Sequence, residues 1–367
     1  MKKNPPSLTG YDMFSIQVLF FGASAGFIYP SLIVRSTTGA YWVPLVVWAA
    51  VALLSCLLYS KLLGRLQEGK LIDRLCQSAG IPAALIICLP QLIFIFGALV
   101  VMLRAYSELI TMTMLPTTPI TFLNGMLLAP GALALAGMMP IARAARVLYL
   151  ISTLLSVCLM LIGFSDVKWT LGGPWLFTNG DFLMIRNFYS GSFIWMGFVF
   201  TALIGSYNPR ISGRYRKSYI YALLLSFPMI AGFIYLPVMT FGRELTRHLT
   251  LPYISKMDSV YHYWVVFENL TALFVSVTML YVLLVMALKL HALGESVKSL
   301  FPRANPIWIY GIVVLLVYAS ASALPSWRAV EGTIFYTLGL RLYALFGFPL
   351  LGLALLSVRE RKRKVAS

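Results

Sequence analysis

The sequence predicts an all-α integral membrane protein, and three observations predict it: the composition, the spacing of the apolar runs and the placing of the basic residues. The chain has 367 residues, of which 60% are hydrophobic and only 11% charged. Its mean hydropathy of +0.84 lies well above what a water-soluble domain carries. Ten apolar runs are each long enough to cross roughly 30 Å of hydrocarbon, which takes about 20 helical residues. No connection between them is long enough to hold a soluble domain. Residues 1–367 therefore read as one transmembrane domain of about ten helices.

Taken in order, the first run is Tyr11 to Val34, behind Lys2 and Lys3. The second, Tyr41 to Ser60, stops at Lys61, and the third, Ile81 to Leu103, stops at Arg104. Pro119 to Met139 and Arg146 to Ser165 form the fourth and fifth. The sixth is Phe188 to Asn208. A basic stretch containing Arg214, Arg216 and Lys217 precedes the seventh, Tyr219 to Phe241. The eighth, Trp264 to Leu288, is followed by Lys289, which reads as a loop residue. Pro306 to Pro325 is the ninth, and Thr333 to Ser357 the tenth, with a basic tail over 358–367.

Ten spans put both termini on one side, and most of the 29 Lys and Arg residues fall on that side, from Lys2 through Arg143 and Lys298 to Lys364. By the positive-inside rule that side is cytoplasmic. The net charge of +17 is thereby accounted for by topology. No basic and aromatic surface remains to read nucleic acid. Lys2, Lys3, the apolar run from Met13 and Ala23-Ser24-Ala25 imitate a signal peptide, but hydrophobicity resumes at once through Val34, so the segment is expected to stay. Cys56, Cys88 and Cys158 fall within spans and Cys76 in a cytoplasmic loop, which indicates no disulfide framework.

Motifs of soluble enzymes are missing. "GRYRKS", Gly213 to Ser218, lacks the glycine that a phosphate loop needs before its lysine and is expected to form a basic turn. His248, His262 and His291 lack metal-ligand spacing and read as solvated loop residues. Asn269-Leu270-Thr271 has the form of a glycosylation site but lies inside a span. No catalytic group, metal or cofactor is expected.

The first run contains "GASAGFIYP", Gly22 to Pro30, an odd stretch for a membrane helix. One reading is a G-x-x-x-G packing face built on Gly22 and Gly26. The other is a helix that unwinds near the bilayer midplane, where irregular backbone survives only beside a cavity and offers free N–H and C=O groups to a ligand. Inverted-repeat transporters need a matching break at the start of their second half. The sixth run, "FYSGSFIWMGFVFTALIGSYNP", supplies Gly191, Gly197 and Gly205, with Thr201 between and Pro209 at its end. The expected architecture is an inverted-repeat (5+5) transporter-like fold with discontinuous first and sixth helices: 1–165 the first repeat, 188–357 the second, 358–367 a basic cytoplasmic tail.

With these features in place, the chain resembles the spore germination permeases, the membrane-embedded B subunits of bacterial spore germinant receptors, within the amino acid-polyamine-organocation superfamily. The likeness rests on "ASAGFIYP" in the first span and "LPTTPI", Leu115 to Ile120, at the turn into the fourth. It rests further on "GMMPIARAARVLYL" at the turn into the fifth and "LPYISKMDSVYHYWVVFENLTALF" before the eighth. Relatives commonly carry glycines at the positions of Ala23 and Ala25, an acidic residue at Leu203, an arginine at Asn269 and a tryptophan at Thr278. The resemblance implies that a small nutrient, an amino acid, binds between the first and sixth helices and the third and eighth. Its site would include Gly22, Ala23, Ser24, Ala25, Gly26, Gly197, Thr201 and Glu268. It implies companion A and C receptor subunits and a place in the cell membrane or the spore inner membrane.

Three further features are readable. Glu268, a carboxylate a few residues inside a span, either faces a cavity or snorkels to the interface. Arg341 raises the same question, and the two could pair. "KLLGRLQEGKLIDRLCQSAG", Lys61 to Gly80, alternates basic and apolar residues in the manner of a surface helix or a plain connector, and it is a docking candidate for the A subunit. Three functions follow as alternatives: nutrient sensing, ion-coupled amino-acid transport with Glu268 as a proton site, and a membrane scaffold without a ligand.

Overall fold

The computed structural model describes every residue except 1–7, 27, 67–68, 205, 208, 261–269 and 367, and describes the backbone alone at 206–207, 209–211 and 358–366. Glu268, Asn269, His262, Gly205 and the Lys2-Lys3 pair lie outside the described residues.

The chain folds as a succession of helices. The first half runs α1 (Gly10–Ala25), α2 (Ile28–Val34), α3 (Trp42–Gly64), α4 (Leu71–Ala79), α5 (Ile81–Thr113), α6 (Ile120–Asn124), α7 (Leu128–Ala136) and α8 (Met138–Gly163). The second half runs α9 (Arg186–Ser190), α10 (Gly197–Ile204), α11 (Pro209–Phe241), α12 (Arg243–His248), α13 (Pro252–Asp258), α14 (Leu270–Leu300), α15 (Pro306–Ala323), α16 (Trp327–Tyr336), α17 (Leu338–Leu342) and α18 (Phe348–Ala366). Two strands, β1 (Gly69–Lys70) and β2 (Ser206–Tyr207), pair antiparallel with Gly69 opposite Tyr207.

Among the described residues eight helices are long and apolar enough to cross a bilayer, and α1 with α2 forms a ninth span bent by 64°. The apolar run Ile120–Ala136 stands where the fourth span was expected. At 1.5 Å per residue it is about 25 Å long, a little short of the hydrocarbon thickness. The long helices divide into an inner and an outer set. Arg186–Ile204, Ser212–Phe241 and Leu270–Leu300 have 83%, 72% and 67% of their apolar windows buried, against 22% for Met138–Asp166 and 28% for Pro306–Ala323. Large apolar side chains on the outer set, such as Leu150, Leu154, Ile307 and Leu315, are exposed. A water-facing surface would not carry such a belt, and lipid does. The protein is a multi-pass membrane protein.

Why α1 runs down the middle is plain from its sequence. Every residue from Asp12 to Ala25 except Phe14 is buried, because the helix is apolar all round and is packed on different sides by α8, α11 and α14. Its start is fixed by Thr9, whose side chain accepts from the Asp12 N–H while the Asp12 carboxylate takes the Thr9 N–H at 2.9 Å. This is a capping box that satisfies two terminal donors. Arg146 Nη2 then reaches Asp12 Oδ2 at 3.0 Å.

Several expectations are corrected. The eighth helix does not end at Leu288 but runs on to Leu300, so Lys289 and His291 are buried helix residues and not loop residues. His291 Nδ1 lies 3.0 Å from the Ala134 carbonyl and 2.9 Å from the Tyr310 hydroxyl. The third helix likewise continues past Leu103 to Thr113. Arg104 is therefore inside it, paired with Glu108 one turn on at 2.5 Å, and the pairing offsets part of the cost of burying the guanidinium. "GRYRKS" is the first part of α11, not a turn. Lys61 to Gly80 is not one surface helix: Lys61 to Gly64 form the last turn of α3, the two-residue strand Gly69–Lys70 follows, and only Leu71–Ala79 is the amphipathic helix, with Leu71, Ile72 and Leu75 buried.

Candidate functional site

The first span breaks where its small residues stand. α1 stops at Ala25, Gly26 takes an ordinary right-handed conformation at φ −72°, and α2 begins at Ile28. Pro30 is the third residue of α2. A helix's first turn has no intrahelical use for its N–H groups, so a proline costs little there. The stretch is both a helix break and a packing face, because its glycines stand against α14. A Cβ on Gly22 would lie 2.7 Å from the Tyr281 ring, and one on Gly26 would lie 3.1 Å from Phe274 and 3.2 Å from Thr278. Gly22 and Gly26 thus let α1 lie against α14, as small residues four apart do in membrane bundles.

The sixth span is irregular over its middle. α9 ends at Ser190, a tight turn covers Gly191–Phe193, and α10 resumes at Gly197. Across the gap the bonds close three residues back: Ile194 N–H to Gly191 O at 3.3 Å, Met196 N–H to Phe193 O at 3.3 Å and Val199 N–H to Met196 O at 3.0 Å. Glycines again permit the approach to the first span. A Cβ on Gly191 would meet Tyr29 at 3.1 Å, and one on Gly197 would meet Gln17 Oε1 at 2.4 Å and Phe20 Cγ at 2.9 Å. Gln17 Nε2 donates to Thr201 Oγ1 at 3.0 Å, and Thr201 donates in turn to Phe198 O at 2.9 Å.

Between the two interrupted spans lies a cavity. From the first span Phe20, Ala23, Ser24 and Ile28 line it, and from the sixth Phe193, Met196 and Phe200. α5 contributes Phe94, Gly97, Ala98, Val101, Met102 and Ala105. Lys289 comes from α14, and Ile334, Thr337 and Arg341 come from the last span and the helix before it. Counted over the positions that the centre of a water-sized sphere can take, it measures about 80 Å³. One water needs about 10–15 Å³ on that measure, so there is room for a small molecule. Apolar walls with a few convergent polar groups are the usual make-up of a small-ligand site.

Two of those polar groups are cations. Lys289 is buried, with Nζ 3.3 Å from the Met102 sulfur and 5.4 Å from the centroids of both the Phe20 and the Phe200 ring. Arg341 is 2% exposed. It donates from Nη1 to the Ser190 carbonyl at 2.7 Å, at the edge of the sixth-span break, and from Nη2 to Ile334 O. Its Nε has no partner among the described residues.

Of the residues singled out from the sequence, the structure brings Ala23 and Ser24 to the cavity wall. Gly22, Gly26, Gly197 and Thr201 stand at helix contacts beside it, and Ala25 is fully buried. Whether Glu268 meets Arg341 falls outside the described residues. Lys289 was missed. Its signal was the pattern after it, since Leu290, Leu293, Val297 and Leu300 continue a helical apolar period that a loop would not show. Phe20, Met102 and Phe200 carry no such signal, because aromatic and Met residues are ordinary in membrane helices. Among the described residues no group of His, Cys, Asp and Glu could hold a metal ion.

At the end of α2 the chain is clamped. Asp181 accepts from Thr37 Oγ1 and from the Thr38 N–H and hydroxyl, each at 2.6 Å. Arg243 donates to Tyr41 Oη at 2.7 Å and to the Thr38 and Gly39 carbonyls, and Arg35 donates to Arg247 O at 2.9 Å. Partial burial pushes the Asp181 carboxyl up, and the hydrogen bonds from Thr37 and Thr38 outweigh it, so its pKa lies below the usual carboxylate value.

A bundle of membrane helices with two interrupted spans enclosing a small cavity defines a permease-like protein. The chain belongs to the spore germination permease family: the family model described as "Spore germination protein" matches residues 7–325. The fold is also that of a protein whose structure is described as "Crystal structure of MhsT in complex with L-phenylalanine". The two chains are 15% identical with a TM-score of 0.57, over 97% of this chain and 99% of that one. No curated protein matches the chain. Family and fold are those of permeases and not of enzymes.

Proposed function

We propose that this protein is the membrane subunit of a spore germinant receptor, that it binds a small nutrient, an amino acid in the first instance, in the cavity between the interrupted spans, and that binding triggers germination. The observation that carries the reading is the cavity itself, walled by both breaks and by α5 and α14. The family supports the germination role, and the L-phenylalanine complex of a protein of the same fold supports a small amino acid as ligand. A nutrient touching α1, α10, α5 and α14 at once can favour one packing of these helices over another. It shifts the receptor only by the difference in its affinity for the two. In this reading both termini are cytoplasmic by the positive-inside rule, the protein sits in the spore inner membrane, and A and C subunits are its partners, with α4 as a docking element for the A subunit.

The test uses spores lacking this gene alone, exposed to panels of amino acids, sugars and nucleosides, with dipicolinate release followed over time. The reading expects the response to one nutrient class to disappear and to return with the wild-type copy. It should not return with a Ser24→Leu copy of equal abundance, whose side chain fills the cavity. Unchanged responses in the deletion strain would refute the sensing role. Uptake of labelled amino acids by vesicles, present with the wild type and absent with Ser24→Leu, would establish transport in its place.

A further inference from the structure

The cavity wall carries a buried basic side chain, Lys289, that has no acidic partner among the described residues. Lysine is among the residues least often buried unless it is paired, and an ammonium brings three donors. Around Lys289 those donors meet one thioether sulfur, a weak acceptor, and two ring faces. Ring faces at this distance attract a cation, but they accept no strong hydrogen bond. Among the described residues no carboxylate lines the cavity. A second cation, Arg341, lines the same cavity with its Nε unpartnered among the described residues. Two buried basic side chains with unused donors on one small cavity describe a site suited to an acceptor that the described residues do not supply.

We infer that the ligand of this cavity is a carboxylate, held by Lys289, with a short apolar body lying against Val101, Ile28 and Ile334, and that the carboxylate is the obligatory group while an amine on the same body is dispensable. This rests on the cavity being the ligand site, as proposed above, and adds the ligand's chemical class. The argument for the carboxylate is desolvation. An unpaired ammonium in an apolar wall is costly, whereas a charge-assisted bond to a carboxylate in the same surroundings is among the strongest available. The argument for a dispensable amine is that the described lining presents no acid to receive one. The position of Lys289 adds a consequence. Its ammonium touches α1 through Phe20, α5 through Met102 and α10 through Phe200, so a carboxylate that draws the ammonium toward itself acts on three helices through one side chain.

The experiment uses the purified full chain in nanodiscs and follows its thermal unfolding with matched probes: carboxylate, primary amide and amine of the same carbon body, from propionate to 3-phenylpropionate, with chloride and inorganic phosphate alongside. The expected result is stabilisation by at least one carboxylate and none by its amide or amine. Lys289→Gln should weaken the carboxylate by about ten- to a hundredfold, and Lys289→Arg should keep much of it. A readout free of any nutrient accompanies it: in Ser24→Cys protein the thiol should react faster with an anionic than with a cationic methanethiosulfonate, and Lys289→Gln should abolish the preference. Stabilisation by no carboxylate, equal stabilisation by amide, chloride or phosphate, or undiminished binding to Lys289→Gln would overturn the inference. Carboxylate binding in vitro, with germination unaffected by the Ser24→Leu copy, would leave this inference standing and refute the receptor reading alone.

Discussion

Gly197→Ala is the substitution whose cost can be worked out most directly. The new Cβ would stand 2.4 Å from Gln17 Oε1, 2.9 Å from Phe20 Cγ and 3.1 Å from Phe20 Cβ. Contacts under 3.0 Å must relax. Gln17 Oε1 is the end of a side chain and can swing away, but doing so disturbs the 3.0 Å bond to Thr201, worth about 1 kcal/mol. Phe20 cannot swing so easily: its ring is 3% exposed and sits 5.4 Å from the Phe200 ring. Overpacking of this kind costs about 1–3 kcal/mol, and the two effects together come to about 2–4 kcal/mol. The assay is unfolding in mixed micelles by dodecyl sulfate titration, read by tryptophan fluorescence, with the fully buried Trp195 close by as reporter. Gln17→Ala separates the two causes. Adding Gly197→Ala to it should cost less than in the wild type, yet the double variant should remain at least about 1 kcal/mol below Gln17→Ala alone, because the Phe20 clash persists. A Gly197→Ala protein within about 0.5 kcal/mol of wild type would refute the argument that the two broken spans meet through this glycine.

Gly22→Ala should cost about 1–3 kcal/mol in the same assay, since its Cβ would lie 2.7 Å from the Tyr281 ring; Tyr281→Leu in the same chain should return part of the loss. The clamp at the end of α2 should loosen in acid. Asp181 has a lowered folded pKa, so its contribution is present above the unfolded carboxylate value of about 4 and is lost as pH falls through the folded value; amide exchange at Thr38 should rise below about pH 4, and Asp181→Asn should raise it at all pH values. Lys256 in α13 is buried with no partner for Nζ among the described residues, and burial holds its pKa down against the opposing pull of Asp166. Stability should therefore climb as pH rises from the folded value toward the unfolded one near 10.4, and Lys256→Met should raise the unfolding midpoint near neutral pH and flatten that climb.

The sequence by itself determined the membrane class and the order of the apolar runs, and it marked two places as candidates for helix breaks. Each of these is a local property: hydrophobic length sets a span, and a cluster of small residues, with a proline four residues beyond it, marks an interruption. Pro30 and the Gly22 to Gly26 stretch announced the first break, and Gly191 with Gly197 flank the second. The limits of the helices were less legible. Lys289, His291 and Arg104 were read as loop residues because a charge usually ends a hydrophobic run, whereas here Arg104 has Glu108 as an ion-pair partner one turn away, His291 has Tyr310 and the Ala134 carbonyl, and Lys289 has ring faces on two other helices. The Ala134 carbonyl and the Phe20 and Phe200 rings lie far from His291 and Lys289 in the chain, so no local pattern reveals those partners, whereas the Arg104–Glu108 spacing was legible as a helical pair. Only the tertiary structure decided which small residues face a cavity and which face a helix. Ala23 and Ser24 fall on the cavity side and Gly22 and Gly26 on the α14 side because successive residues of a helix are turned by about 100°, and the side each one faces is fixed by the packing of α14 and α10 around α1.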